Sequence, residues 1–71
     1  MYLIYCIENR KRLYLDEVKS ENGTLKVQSW TYEKVHALRI SKKSTAWAIA
    51  EVLSKSNLTG DTYMCEEIAD V

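Results

Sequence analysis

Nucleophilic catalysis needs a nucleophile, a base and a group that orients the base, all in contact. The single histidine, His36, is the base on offer, and Cys6, Ser41 and Ser44 are nucleophiles by type. No nucleophile elbow or catalytic spacing surrounds any of them. Zinc sites need closely spaced Cys or His pairs, whereas Cys6, His36 and Cys65 stand far apart in the chain. Carboxylates for acid–base work occur as Asp16-Glu17 and Glu66-Glu67, with Asp70 beyond. Adjacent residues on a strand point to opposite faces, so neither pair is a dyad, and both read as solvated charge. The only glycines, Gly23 and Gly60, form no loop that would cradle a phosphate. No catalytic, cofactor-binding or metal-binding residue is assigned, and the chain reads as a non-enzyme that takes no cofactor.

Basic and aromatic side chains offer more. Arg10-Lys11-Arg12 falls on a hairpin tip, and Arg39, Lys42 and Lys43 flank the start of a helix. With aromatic rings beside it, such a cluster can hold nucleic acid by backbone charge and base stacking. It can equally orient a protein partner, or simply keep a tip soluble. Trp30, Tyr32 and Trp47 are the rings to place: large aromatic side chains either anchor interfaces or cap the rim of a thin core.

The elements that position these residues follow from pattern and turn chemistry. Tyr2 to Glu8 is short, continuously apolar and β-rich, the signature of a strand covered on both faces and central in its sheet. Asn9-Arg10-Lys11 fits a three-residue hairpin loop, and a second strand begins at Arg12. Asn22-Gly23 supplies the two positive-φ residues of a type I′ turn, which sets Val18 opposite Val27 and Leu15 opposite Trp30. A third strand then runs from Thr24 to Thr31. Glu33 to Ala37 can make one helical turn, and Leu38-Arg39-Ile40 a short extended piece. Ser41 is the expected N-cap of a helix over 42–56, in which Ala46, Ile49, Ala50 and Leu53 draw one apolar stripe. Asn57 stops the helix, Thr59-Gly60-Asp61 turns the chain, and Thr62 to Ile68 forms a last strand. Crossing over through the helix, that strand is expected parallel to the first. The fold class is α+β: an antiparallel-rich sheet of four to five strands with one helix packed on one face.

Strict alternation divides the hairpin into two sets, Leu13, Leu15 and Trp30 on one face and Tyr14, Val18, Leu25 and Val27 on the other. The uniformly aliphatic Val18, Leu25 and Val27 suit the helix side. That leaves Trp30, Leu13 and Leu15 on an open face, and these three with Arg10, Lys11 and Arg12 are the candidate partner-binding residues.

Size and charge bound the function. At 71 residues there is room for one domain, spanning the whole chain; chains this small bury only about 60% of the surface exposed when unfolded. Five Tyr and two Trp with no Phe are too many amphipathic rings for one small interior. Ten basic residues balance ten acidic ones, which argues against a dedicated nucleic-acid binder. The opening apolar run is too short for a leader or a membrane span, so the expected location is cytoplasmic, with Cys6 and Cys65 as reduced thiols. If the first and last strands pair, the two thiols come near each other. The sequons Asn22-Gly23-Thr24 and Asn57-Leu58-Thr59 read as turn chemistry.

The stretch Ala37-Leu38-Arg39-Ile40-Ser41-Lys42-Lys43-Ser44-Thr45-Ala46-Trp47-Ala48-Ile49-Ala50, with Tyr63-Met64-Cys65-Glu66-Glu67-Ile68, resembles small orphan single-domain proteins of bacteriophages and prophages. Ile40 stands where those chains often carry an aromatic. The resemblance implies a non-enzymatic protein that inhibits or modulates a host protein, including one of a defence system, by occupying its surface in the host cytoplasm. It transfers no functional residue. The expected partner is a host protein or a second copy of the chain, with nucleic acid held by the basic tip as the alternative and no membrane.

Overall fold

The computed structural model describes residues 1–56 and 62–69. Strands β1 (Tyr2–Glu8), β2 (Lys11–Glu21) and β3 (Thr24–Thr31) lead into one 3-10 turn (Lys34–His36), helix α1 (Lys43–Ser56) and strand β4 (Met64–Glu67). The four strands form one antiparallel sheet in the order β3-β2-β1-β4, with α1 packed on one face. The α+β reading holds. The expected helical turn is the 3-10 turn, and the extended piece after it is a single bridge between Ile40 and Tyr2.

β1 is central, as its unbroken apolar run implies. Leu3, Ile4, Tyr5 and Cys6 are all buried; Leu3 and Tyr5 pack with Tyr14 and Ala37 on one face, and Ile4 packs with Leu15, Ala50 and Leu53 on the other.

Each hairpin turns through two residues. Asn22 and Gly23 have φ of 52° and 76°, with Glu21 opposite Thr24. Asn9 and Arg10 have φ of 53° and 63°, with Glu8 opposite Lys11, so the first loop is one residue tighter than expected. Both pairs occupy the left-handed region that a type I′ turn demands. Glycine takes the second place in one turn without steric cost. Arginine takes it in the other, where an L-residue is strained by about 1–2 kcal/mol.

The register of β2 on β3 keeps the expected pairs, Leu15 with Trp30 and Val18 with Val27. Between them it shifts: Glu17 pairs with Ser29, so that Asp16 on β2 and Gln28 on β3 both fall outside the pairing. One extra residue in each strand reverses the alternation of both. Leu15 and Val18 therefore share a face, as do Trp30 and Val27. All four, with Leu25, belong to the cluster under the helix. The expected division of the hairpin into two apolar faces is thereby corrected: Leu15 is fully buried, and Trp30 is partly buried on the same side.

The direction of β4 is corrected too. It lies beside β1 but antiparallel, with Tyr2 opposite Glu67 and Tyr5 opposite Met64. The cause is the segment between β3 and α1. From Thr31, level with Tyr14, it descends across the face opposite the helix, seating Ala37 on Leu3, Tyr5 and Tyr14. It then enters the fork between β2 and β1. There the Leu38 N–H donates to the Leu15 carbonyl at 2.8 Å, and Ile40 and Tyr2 exchange both backbone bonds at 2.7 and 3.0 Å. This descent has already returned the chain to the β1 start, so the helix climbs and β4 must run down.

The helix opens one residue later than the Ser41 cap implies. The Ala46 N–H donates to the Lys42 carbonyl at 3.1 Å, which gives Lys42 the capping position. Ala46, Ala50 and Leu53 are buried and Ile49 packs beside them, as the stripe predicts. The small alanines let the helix approach the sheet closely. The expected stop at Asn57, the sequon that begins there and the turn over Thr59-Gly60-Asp61 lie outside the described residues.

Candidate binding surface

The face opposite the helix is organised around Glu66 of β4. Its alternation with Met64, which pairs with Tyr5, sets its side chain beside Tyr14. The carboxylate accepts from Arg12 Nη1 at 2.5 Å and from the Tyr14 hydroxyl at 2.9 Å through Oε1, and Oε2 pairs with Lys34. Arg12 also lies over the Tyr5 ring, 4.4 Å from its centroid. Burial alone would raise the Glu66 pKa, but the hydrogen bonds from Lys34, Tyr14 and Arg12 outweigh it and hold the carboxylate below its ordinary range. Burial first, and then the bond to Glu66, pushes the Tyr14 phenol up. The bond to Glu66 likewise raises Arg12 and Lys34. A carboxylate with three donors is a poor base, and a phenol with a raised pKa is a poor nucleophile. The cluster clamps the 3-10 turn and β2 to β4, which makes it a positioning device. Glu66 is thus not the solvated charge its sequence context implies.

The basic tip divides. Arg10 and Lys11 are exposed, but Arg12 is folded back onto Tyr5 and Glu66. Next to them lies an apolar pair the sequence reading missed. Ile7 is 59% exposed and Met64 46%. Ile7 follows Leu3 and Tyr5 on one face of β1, and Met64 stands opposite Tyr5, so the two are diagonal neighbours on the face opposite the helix. Their signal was the alternation of β1; Met64 could be added only once the direction of β4 was known.

The remaining sequence candidates scatter. Leu15 and Trp30 are committed to the helix side, and Trp30 stacks on Tyr63 with ring centroids 5.4 Å apart. Leu13, opposite Cys6, is partly buried on Leu15's face. Leu13, Leu15 and Trp30 therefore do not form an open surface. Trp47 is exposed beside the helix stripe, and Tyr32 is exposed, its hydroxyl accepting from the Asn9 amide at 3.5 Å. His36 is exposed on the 3-10 turn. Cys6 and Cys65 both face the helix but are not bonded, because Cys65 stands opposite Ile4 and Cys6 lies one same-face position further along. Burial raises the Cys65 thiol pKa. Among the described residues no cluster of His, Cys, Asp or Glu is arranged to hold a metal ion, and no helix is long and apolar enough to cross a membrane.

A concavity opens further along the same face. Lys34, Val35, Arg39, Ile68 and Ala69 line an open groove of about 420 Å³ between the 3-10 turn and the end of β4. Its walls are mostly aliphatic and its charged groups are cations.

These features define a class by architecture: a four-stranded antiparallel sheet with one covering helix and a polar clamp on the opposite face. Comparison with family models, with curated proteins and with solved structures finds no match to the chain.

Proposed function

We propose that the chain is a small protein-binding module that acts by occupying a partner's surface with the end of the sheet around Ile7 and Met64, oriented by Arg10 and Lys11. The observation that carries this reading is the exposure of two large aliphatic side chains side by side next to an uncommitted basic tip. Exposed apolar groups ringed by charge mark contact surfaces. The fitting partner offers an apolar contact flanked by carboxylates, and rim charges of this kind steer encounter more than they add affinity. In line with the resemblance to small phage proteins, that partner is a host protein and the effect is inhibition or modulation.

Nucleic acid is the less favoured ligand because most of the rings near the tip are occupied, with Tyr32 left exposed there and its hydroxyl accepting from the Asn9 amide. Tyr5 lies under Arg12, Tyr14 is buried, and Trp30 is stacked on Tyr63. One exposed ring is a poor stacking platform, and a single strand then loses most of the contact that complements backbone charge.

The test compares Ile7→Asp/Met64→Asp with Val52→Asp on the outer side of the helix, all at exposed positions. A protein retained by the parent and by Val52→Asp, but not by the double variant, is expected in quantitative capture. Equal retention by all three, or retention abolished by nuclease, overturns the proposal.

A further inference from the structure

We infer that the groove lined by Lys34, Val35, Arg39, Ile68 and Ala69 is a binding site for a small apolar carboxylate, an aliphatic or aryl acid free in solution. This site is separate from the protein contact proposed above and does not depend on it.

Three observations fix the ligand's chemistry. The first is size: about 420 Å³ lies within the roughly 300–1,000 Å³ range of small-molecule sites. The second is the lining. Val35, Ile68 and Ala69 supply carbon, and Val35 is 68% exposed, so its side chain is open to an apolar ligand. The third is charge. Lys34 is paired with Glu66, but Arg39 is exposed and enters no ion pair among the described residues. On this face Arg12 and Lys34 both pair with Glu66, and the Arg39 guanidinium of the groove stands outside that cluster. A guanidinium at the rim of an aliphatic groove matches an anionic head on an apolar body, and its planar fork suits a carboxylate in two-point contact.

The backbone around the groove argues for a free acid over a peptide terminus. The Lys34 carbonyl already accepts from Ala37, and the Ile68 N–H already donates to the Met1 carbonyl. An extended peptide placed here would find these main-chain partners taken, whereas a fatty or aryl acid needs none.

The experiment titrates ¹⁵N,¹³C-labelled protein with sodium butyrate, hexanoate and octanoate, and with hexylamine. Saturable shifts confined to Val35, Arg39, Ile68 and Ala69 are expected with the acids. Affinity should rise roughly tenfold for each two methylenes added. Arg39→Gln should weaken hexanoate at least about tenfold while the spectrum elsewhere stays unchanged, and Val35→Asp should abolish the shifts. Equal shifts with hexylamine would show that the charge is not read. Unchanged affinity in Arg39→Gln, absence of a chain-length trend, or a blocked tripeptide acid binding more tightly than octanoate would each overturn the assignment.

Discussion

The two hairpin turns are an internal experiment on backbone strain. Asn22-Gly23 and Asn9-Arg10 adopt the same pair of left-handed conformations, with φ of 52° and 76° in one and 53° and 63° in the other. Only the side chain at the second place differs. Replacing Arg10 with glycine removes about 1–2 kcal/mol of left-handed strain. The greater freedom of glycine in the unfolded chain offsets about 0.5–1 kcal/mol of that, leaving a net gain of about 0.5–1 kcal/mol. The reciprocal change, Gly23→Ala, is a clean control, because a Cβ built at Gly23 meets nothing within 4 Å. Its cost is conformational alone, about 0.5–1 kcal/mol in the opposite direction. Urea denaturation of the parent and both variants measures these differences, and in a domain this small each 1 kcal/mol moves the melting temperature by about 4–8 °C. If Arg10→Gly destabilises the fold, or Gly23→Ala is neutral, the paired type I′ turns are refuted. Arg10→Gly should also weaken partner binding while raising stability, since a strained residue at a contact surface trades one for the other.

Trp30→Ala should cost about 2–3 kcal/mol, less than the 3–5 of a fully buried indole, because its ring stacks on Tyr63 within the helix-side cluster; thermal melting followed by circular dichroism checks this. Glu66→Gln should flatten the acid limb of stability. With its folded pKa below the ordinary value, ionised Glu66 contributes stability that is complete above about pH 5 and is lost as pH falls through the usual carboxylate range toward the depressed folded pKa. Denaturation at a series of acidic pH values should therefore show parent and variant converging as pH falls, and a constant gap would contradict the clamp. Cys65, its thiol raised by burial, should react slowly with a thiol reagent at neutral pH until denaturant is added.

Local chemistry made much of this fold readable in advance. Asn22-Gly23 fixed the cross-strand pairs, the apolar spacing fixed the helix stripe, and the unbroken run of β1 marked it as central. What escaped was which face each pair occupies. A two-residue turn sets the register whether or not the strands shift together, so Leu15 with Trp30 and Val18 with Val27 are compatible with both arrangements. The clue was present: apolar residues stand three apart on both strands at the same height, 15 and 18 against 27 and 30, which simple alternation does not produce. The direction of β4 was hidden because the descent from Thr31 to Ile40 carries no regular pattern, yet it reverses the starting level of the helix. Of the candidate surface, the basic tip was legible in Arg10 and Lys11. The Glu66 clamp was not, since Arg12, Lys34 and Glu66 meet only through the folded sheet.

The reading of the binding surface rests on which side of the sheet is covered, and methyl relaxation by a soluble paramagnetic agent reads that directly. The methyl groups of Ile7 and Met64 should relax strongly, and those of Leu15 and Leu53 hardly at all, matching exposures of 59% and 46% against 0% and 6%. Strong relaxation of Leu15 together with protection of Ile7 and Met64 would place the helix on the other face and contradict the proposed surface.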